Sequence, residues 1–417
     1  MGTVAPQDSD AGVDAPTSIW PTIAGFAATR LVGNLFVRFP YVFINQISKG
    51  LGVDVETLTY VFGARELGGL VAPKAGHWVD RGHTGRVIVV GGLLAGASCV
   101  AAATSWFPLF VVVMVLGGAA KISIDLAQNA WIGHNVPLAT RGRVIGLIEM
   151  TWAGAFLAGV PAVGWAVDRW GWQAAFVVTG PLLTIAALGS GSRVREAAAD
   201  SVVTNGPMES VGAHETGDQA ATIEAGAAHV RVDADAARLK RAVWVFCFLQ
   251  PMAQMLIFAV YGDWFTTEVK LSTTALSVVT ALLGVAELIG TIVTVWITDR
   301  AGPIRCGMWG MALTIPPMLG VIAVGPSAVS AAALLIAMDI AIEFAFVSVL
   351  PVVSELDVEN RGKAVGHVFV LIMVARAIGS AVSGRIYEMG GFNAALTAAA
   401  IASFGASGVL WWSRRSR

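Results

Sequence analysis

The sequence contains a short polar turn near the end of its first hundred residues. Residues 76–86 read Gly-His-Trp-Val-Asp-Arg-Gly-His-Thr-Gly-Arg, and they separate one long apolar run from the next. Other glycine-containing basic turns separate further apolar runs along the 417 residues. Because a membrane-spanning helix needs roughly 20 apolar residues, each of these runs is long enough to be a candidate span.

The composition is that of a membrane protein. Hydrophobic residues make up 56% of the chain and charged residues only 13%, with a mean hydropathy of +0.70, whereas about a quarter of the residues in a soluble domain are charged. The formal net charge of -1 gives no reason to expect a nucleic acid partner. The three cysteines are isolated, so the sequence has neither a disulfide framework nor a zinc spacing. It also lacks a phosphate-binding glycine loop and a nucleophile elbow, so we predict no enzyme activity, no metal and no cofactor.

The apolar runs predict an all-α polytopic protein with twelve transmembrane helices. The predicted spans are 20–45, 52–79, 87–105, 107–133, 142–167, 172–190, 241–266, 272–297, 304–324, 327–351, 362–386 and 391–412. The predicted domains are a disordered N-terminal tail (1–19), a six-helix bundle (20–190), a flexible linker (191–240), a second six-helix bundle (241–412) and a basic tail (413–417). The linker is rich in Ala, Gly, Asp and Glu, a composition that does not favour a packed core.

Basic residues predict the orientation of the chain. Lys and Arg are retained on the cytoplasmic side of short loops, and one side of the predicted topology carries most of them. The sequence therefore predicts a multi-pass protein of the cytoplasmic (inner) membrane with both termini and the linker in the cytoplasm. Residues 1–19 are polar without a basic region, so the first span is not expected to be a cleavable signal peptide.

The two predicted bundles repeat the same sequence features at an offset of about 220 residues. Arg-Gly-Arg-x-x-Gly at 141–146 recurs as Arg-Gly-Lys-x-x-Gly at 361–366, a Gly-x-x-x-acid turn at 164–171 recurs at 384–391, and Asp80-Arg81 recurs as Asp299-Arg300. Repeats of this kind place a substrate site between the halves, near the middle of the membrane.

The turn at 76–86 resembles the signature loop of the major facilitator superfamily in its first Gly, its Asp-Arg pair, its later Gly and its final Arg. The resemblance implies two pseudo-symmetric six-helix bundles, a monomer, and charged cytoplasmic loops that latch one conformation shut. The residues predicted for this cytoplasmic gate are Gly76, Asp80, Arg81, Gly85, Arg86, Arg141, Arg143, Asp299, Arg300 and Arg361. The runs at 141–149 and 164–172 look most like bacterial sugar or drug efflux permeases.

The fifth span contains Gly154, Gly159, Pro161 and Gly164, which look like a degraded Gly-Pro motif of the superfamily's proton antiporters. The sequence departs from that motif because it has Gly-Val-Pro instead of adjacent Gly and Pro. Small residues at this spacing are equally typical of ordinary close helix packing.

Ionisable residues inside the apolar runs mark the predicted substrate path, because each costs energy in the membrane unless it faces a cavity or a partner. Most of them form polar stripes on the first and fourth helices of each half, the helices that line the central cavity in the fold resembled. Glu287 and Arg376 are further charges, in the eighth and eleventh helices. The predicted cavity residues are Arg30, Asn34, Arg38, Lys121, Gln128, Asn129, Gln250, Gln254, Tyr261 and Arg376, and the predicted proton-coupling residues are Asp125, Asp339, Glu343 and Glu287.

The same charges suggest a substrate class. Arg30, Arg38 and Lys121 make one wall of the cavity basic, while the acidic residues of the second half are expected to face Arg376. This arrangement favours a zwitterion or an anion with a polar body. Arg65, Glu66 and Glu149 are expected to form structural pairs, since a buried Arg and a buried acid satisfy one another.

We therefore predict a secondary active transporter that exports a small organic molecule in exchange for protons by alternating access. Its expected partners are the substrate, protons and membrane lipids. One alternative is a proton-coupled symporter that imports an organic anion or zwitterion. The other is a membrane receptor or scaffold that uses a transporter fold without moving a solute.

Overall fold

The structure is a computed structural model that describes residues 19–194, 219–355 and 361–414. Most of the predicted N-terminal tail, the middle of the predicted linker and the last three residues lie outside these ranges. Within them, every regular element is a helix. An all-α fold is thereby confirmed.

The first half contains six successive passes, which we number spans 1 to 6. The first, second and fifth passes are interrupted, whereas the others are single helices. Their bounds are Trp20–Val42 with Ile44–Leu51 (span 1); Val55–Glu66, a 3₁₀ segment Leu67–Val71 and Ala72–Asp80 (span 2); Thr84–Ala102 (span 3); Phe107–Asn135 (span 4); Leu138–Gly154, a π-helical segment Ala155–Gly159 and Val160–Trp170 (span 5); and Gln173–Gly191 (span 6).

The second half repeats the six passes as spans 7 to 12. One continuous element holds the last two, and it is broken by non-helical backbone at Gly390 and Gly391, where Gly391 has φ of 67°. A positive φ of this kind favours glycine because it has no Cβ. The bounds are Gln219–Phe258 with Tyr261–Thr267 (span 7), Thr273–Ala301 (span 8), Pro303–Val324 (span 9), Ala328–Glu355 (span 10) and Arg361–Trp412 (spans 11 and 12).

These helices fit a membrane. Nine helices in the described ranges are long and apolar enough to cross one, and the last of the nine contains both spans 11 and 12. Spans 1 and 2 complete the set of twelve, although the breaks at Phe43 and at residues 67–71 divide each of them into shorter helices. The chain is a multi-pass membrane protein.

The helix of span 7 begins earlier than the sequence analysis placed it. It starts at Gln219 rather than at residue 241, so part of the segment predicted as a flexible linker is helical. The residues concerned include eight alanines, and alanine is the strongest helix former.

The two halves meet along two pairs of helices, span 2 with span 11 and span 5 with span 8. Glycines allow both pairs to approach closely. A Cβ placed on Gly63 would lie 2.7 Å from the backbone oxygen of Ala377, and one placed on Gly284 would lie 2.7 Å from the backbone oxygen of Ala153. Small residues at such crossings are the usual way in which membrane helices pack.

The bundle has two ends, which we name from their turns. The signature-loop end carries the turns at 81–83, 136–137 and 302, and the opposite end carries those at 52–54, 171–172 and 268–272. At the signature-loop end, the last part of span 2, Ala72–Asp80, packs on spans 3 and 4 of its own half. Polar contacts between the halves in the described ranges join residues 38–66 with residues 263–287 and 376–385, in the middle of the bundle and at the opposite end.

Candidate functional site

Arg30 is the centre of the polar cluster in the first half. Spans 1 and 4 lie side by side, so the polar stripe of span 4 faces this buried arginine, which is only 3% exposed. Its Nε lies 3.0 Å from Asp125 Oδ1 and donates to Gln128 Oε1 at 3.1 Å, and its Nη2 donates to Asn129 Oδ1 at 2.7 Å. The structure therefore brings together four of the predicted residues at hydrogen-bonding distance.

The charges of this first cluster balance. Asp125 Oδ2 also accepts a hydrogen bond from Lys121 Nζ at 2.5 Å, and the two residues are one helical turn apart. Glu149 of span 5 lies 3.5 Å from Arg30 Nη1, and its side chain is 50% exposed although it points toward a buried partner. Two cations thus meet two carboxylates, and Glu149 lies at the accessible edge of the cluster.

Asn34 and Arg38 continue the stripe of span 1 toward span 5. Asn34 Nδ2 donates to Thr151 Oγ1 at 3.1 Å. The guanidinium of Arg38 lies over the rings of Phe156 and Trp152, with centroids 3.8 Å and 5.0 Å away. An arginine held between aromatic faces keeps its fork of donors free to turn toward another partner.

That partner belongs to the other half. Arg38 Nη1 lies 2.6 Å from Glu287 Oε1, and the two side chains are 14% and 6% exposed. Glu287 was predicted as a proton-coupling residue that would face Arg376. The structure instead gives it a salt bridge that joins span 1 to span 8.

Spans 8 and 10 bring three carboxylates together in the second half. A Cβ on Gly290 would lie 2.8 Å from Glu343 Cβ, which shows how closely the helices pack there. Glu343 accepts from Thr291 Oγ1 at 3.4 Å. Asp339 is 1% exposed, and its Oδ2 has no hydrogen-bond partner among the described residues. Asp339, Glu343 and Glu287 form a group that we call the acidic triad, and Arg38 is the cation bonded to it.

Span 7 contributes predicted cavity residues of two kinds. Gln250 is 2% exposed and its Oε1 has no partner in the described part of the chain, while Gln254 is half-buried. Tyr261 is 1% exposed, donates to or accepts from Thr280 Oγ1 at 3.2 Å, and packs edge-on against Phe258. Tyr261 therefore lies inside the packed contact at the opposite end of the bundle.

Arg376 has a different partner from the one that the sequence suggested. Its Nε lies 3.0 Å from Glu66 Oε2 of span 2, so it pairs with the first half and not with the acidic residues of its own half. Glu66 Oε1 also accepts a hydrogen bond from Arg65 Nη2 at 3.2 Å. The sequence could not show this pairing because periodicity gives the face on which a residue lies, but not which helix lies opposite.

The predicted gate residues lie at the signature-loop end, mostly in solvent. Asp80 and Arg81 are exposed, and no ion pair joins them to another described residue. Arg141 donates from Nε and Nη2 to the backbone oxygen of Val136, at 3.2 and 3.1 Å, within its own half. Gly85 is buried where a Cβ would lie 2.9 Å from the backbone oxygen of Gly191. Gly76 is half-buried; Arg86, Arg143, Asp299 and Arg300 are exposed; and Arg361 begins span 11, its side chain lying outside the described part.

The opposite end carries a polar contact that the sequence analysis missed. Asp263 is 6% exposed and accepts from Asn45 Nδ2 at 2.6 Å and from Tyr387 OH at 2.8 Å, which joins spans 1, 7 and 11. A Cβ on Gly262 would collide with the backbone oxygens of Tyr41 and Val42. One signal was available: Asn45 lies two turns beyond Arg38, on the same face of span 1.

Comparisons with known proteins agree with this architecture. The family model of the Major Facilitator Superfamily matches residues 25–355 and 243–417. The chain resembles the crystal structure of a D-xylose–proton symporter with a TM-score of 0.75, at 13% identity, over 94% of this chain and 97% of that one. No curated protein matches the sequence.

Two further solved structures share the fold. One is a bacterial homologue of the human lysosomal transporter Spinster in an inward-facing and occupied conformation, with a TM-score of 0.69 at 13% identity over 95% of this chain and 96% of that one. The other is the D323A mutant of the nucleoside transporter NupG, with a TM-score of 0.64 at 16% identity over 94% and 98%. Because the family model covers most of both halves, the chain belongs to the Major Facilitator Superfamily of membrane transporters.

Proposed function

We propose that this protein is a proton-coupled secondary transporter that exports a small organic molecule across the cytoplasmic membrane. It acts as a monomer, and residues 20–190 rock against residues 241–412. The observation that carries the proposal is the acidic triad, in which Asp339 is buried among carboxylates with one oxygen unpartnered.

Proton binding follows from the charge of the triad. Its three carboxylates have one bonded cation, Arg38, which is occupied by Glu287. Ionised carboxylates that are buried together repel one another and are poorly solvated, whereas a proton removes one charge. Asp339 and Glu343 can therefore take up and release a proton as access to the cavity alternates.

Asp125 is the less direct candidate for proton coupling. It is bonded to both Arg30 and Lys121, so a proton reaches its carboxylate only after one of these ion pairs opens. We propose that Asp125 responds to movement of Lys121, and that the triad is the first site of protonation.

Alternating access is supported by the unequal contact between the halves. The hydrogen bond from Asn45 to Asp263 joins them at the opposite end, while predicted gate residues such as Asp80 and Arg81 are exposed. The basic loops assign the signature-loop end to the cytoplasm. On this proposal the protein is open to the cytoplasm here, and the outward-open state forms when the contact at Asp263 breaks and the signature loops close.

Export is supported by the fifth span. A Cβ on Gly154 would lie 2.9 Å from Leu31 Cδ1, and one on Gly159 would lie 2.9 Å from Leu35 Cδ1. One on Gly164 would collide with Ser277 of span 8. The segment that resembles the antiporter motif thus packs closely on span 1 and also on the other half, the position from which it can restrict how the halves move.

The experiment uses inside-out vesicles with an acidic interior, a pH-sensitive dye, and a panel of drugs, sugars, amino acids and organic acids. We expect one class of compound to dissipate the proton gradient. Asp339→Asn and Glu343→Gln should abolish this response, while Glu268→Gln, which alters an exposed carboxylate at the opposite end, should retain it.

Two other outcomes would contradict the proposal in different ways. Gradient-driven uptake in right-side-out vesicles, without substrate-dependent proton release in inside-out vesicles, would make the protein an importer, as the fold shared with a D-xylose–proton symporter allows. Saturable binding of a compound without any flux would make it a receptor.

A further inference from the structure

Arg65 is a buried cation whose bonding is incomplete. Its side chain is 1% exposed and lies among spans 1, 2 and 4, with the rings of Tyr41 and Phe62 beside it. Nη2 donates to the backbone oxygen of Val37 at 2.9 Å and to Glu66, whereas Nε and Nη1 have no partner among the described residues. Buried guanidinium groups normally use all their donors, because each unmade bond costs energy in the membrane.

The charge around Arg65 is also incomplete. Glu66 is shared by two guanidinium groups, since Arg376 of span 11 approaches its second oxygen at 3.0 Å. Two cations and one carboxylate leave a net positive charge. Glu287 also acts electrostatically on Arg376, and it is already bonded to Arg38.

The position suits a ligand that enters between the halves. Arg65 and Glu66 belong to the first half and Arg376 to the second, and Ser380 Oγ of span 11 lies 3.4 Å from Tyr41 OH beside them. The side chain of Arg376 is 16% exposed, more than its neighbours in this cluster. Immediately after Glu66 the helix of span 2 changes to 3₁₀ geometry at Leu67–Val71, a change that often marks a hinge.

We propose that Arg65 and Arg376 form a binding site for a monovalent anionic group, and that this group is a carboxylate of the transported molecule. A carboxylate accepts two parallel N–H bonds from one guanidinium, so it matches the free donors of Arg65 and the exposed edge of Arg376. The identification of this group as a carboxylate of the transported molecule rests on the transport function proposed above and specifies its substrate class. The binding of an anion by these two arginines is independent of transport.

The test measures binding at equilibrium, with no proton gradient. Purified full-length protein in detergent is titrated with chloride and with a panel of monocarboxylates, each compared with its own neutral amide, and thermal unfolding is recorded at constant ionic strength. At least one carboxylate should raise the melting temperature in a saturable manner, while its amide should not.

Two variants change the charge of the site in opposite directions. Glu66→Gln removes the internal carboxylate and should tighten carboxylate binding about tenfold or more, whereas Arg376→Gln should weaken it by at least the same factor. Arg376→Gln should leave the stability without anion unchanged or improved, because it removes the excess charge. Arg385→Gln is the matched control, since Arg385 is also on span 11 and faces a glutamate of span 2.

The outcomes separate the two parts of the proposal. If chloride stabilises the protein through Arg376 and no carboxylate does, the site binds an inorganic anion and its assignment to the substrate is overturned. If no anion stabilises the protein, or if Arg376→Gln lowers stability without changing anion dependence, Arg376 is a structural partner of Glu66 and the site does not exist. Neither result bears on the acidic triad, which the proton flux experiment tests separately.

Discussion

The two ends of the bundle differ in how the halves meet. At the opposite end, Asn45 and Tyr387 approach one buried carboxylate from different halves, and Gly262 allows the backbones of spans 1 and 7 to touch. At the signature-loop end, Arg141 bonds to its own half and Asp80 is exposed. The polar contacts between the halves in the described ranges are thus found toward the opposite end and not among these signature-loop residues.

Between the ends lie two ion pairs that join the halves. Arg38 bonds Glu287, and Arg376 bonds Glu66. These pairs are more deeply buried than the pair of Glu56 and Arg385 at the opposite end, where the arginine side chain is 61% exposed. Loss of Arg38 should therefore have a larger effect than loss of Arg385, because it leaves Glu287 as an uncompensated buried charge. Glu66, in contrast, keeps Arg65 when Arg376 is removed.

The largest effect is expected at the salt bridge between Arg38 and Glu287. Arg38→Gln should lower the free energy of unfolding by about 3–5 kcal/mol, because it removes the bonded cation of the acidic triad. The measurement is denaturant unfolding in detergent micelles. The double variant Arg38→Gln with Glu287→Gln should recover most of this loss, and a double variant as unstable as the sum of the single ones would show that the two side chains do not act as a pair.

The next effect should appear at Gly262. Gly262→Val places a branched side chain against the backbone of span 1, which overpacks the contact and should disfavour this conformation by about 1–3 kcal/mol. Spin labels at Lys49 and Lys270, both exposed at the opposite end, should report a larger distance between the halves. Gly146→Val is the control, since no atom lies within 4 Å of a Cβ at Gly146, and an unchanged distance in Gly262→Val would refute the assignment.

A smaller change is expected at Tyr387. Tyr387→Phe removes one hydrogen bond to Asp263 within the second half, worth about 1 kcal/mol, and should make local opening of Tyr261–Thr267 away from span 11 about fivefold more frequent. Hydrogen exchange of the amides in Tyr261–Thr267 should quicken accordingly. Tyr60→Phe provides the comparison, because Tyr60 OH also bonds a carboxylate, that of Glu56, but at an exposed position within span 2.

The smallest effect should come from Arg385. Its Nη1 lies 3.6 Å from Glu56 Oε2 in an exposed pair, and such pairs contribute little and are screened by salt. The spin-label distances of Arg385→Gln should match those of the unmodified protein at about 1 M salt and differ only slightly at about 0.1 M. A change as large as that of Gly262→Val would mean that charge, and not close packing, holds this end together.

The sequence predicted the helices better than the pairings between them. The polar stripe of Lys121, Asp125 and Gln128 follows from helical periodicity, and the structure places Arg30 against it. Spans 1 and 4 are not consecutive in the chain, but both belong to the first half, and both line the central cavity in the fold resembled. Their meeting could therefore be expected from the fold resembled.

The contacts between the halves could not be read in the same way. Glu66 and Arg376 are 310 residues apart, and Arg376 had equally plausible acidic partners in its own half. Asp263 was visible as a charge near the end of span 7, yet only the spatial arrangement of three helices shows that Asn45 and Tyr387 share it. Pairings that depend on how two bundles are rotated against each other need coordinates.

The π-helical segment Ala155–Gly159 sets how the two α-helical parts of the fifth span are rotated relative to each other about the helix axis. A π turn holds one residue more than an α turn, and each residue of an α-helix turns the chain by about 100°. Deletion of a single residue from this segment would restore regular α geometry and rotate Leu138–Gly154 by about that angle relative to Val160–Trp170. Trp152 would then lose its contact with Arg38, and Thr151 its hydrogen bond with Asn34. Gly164 would stay beside Ser277. One added residue thus lets one pass of the chain face the polar side chains of span 1 along one stretch and the other half along the next.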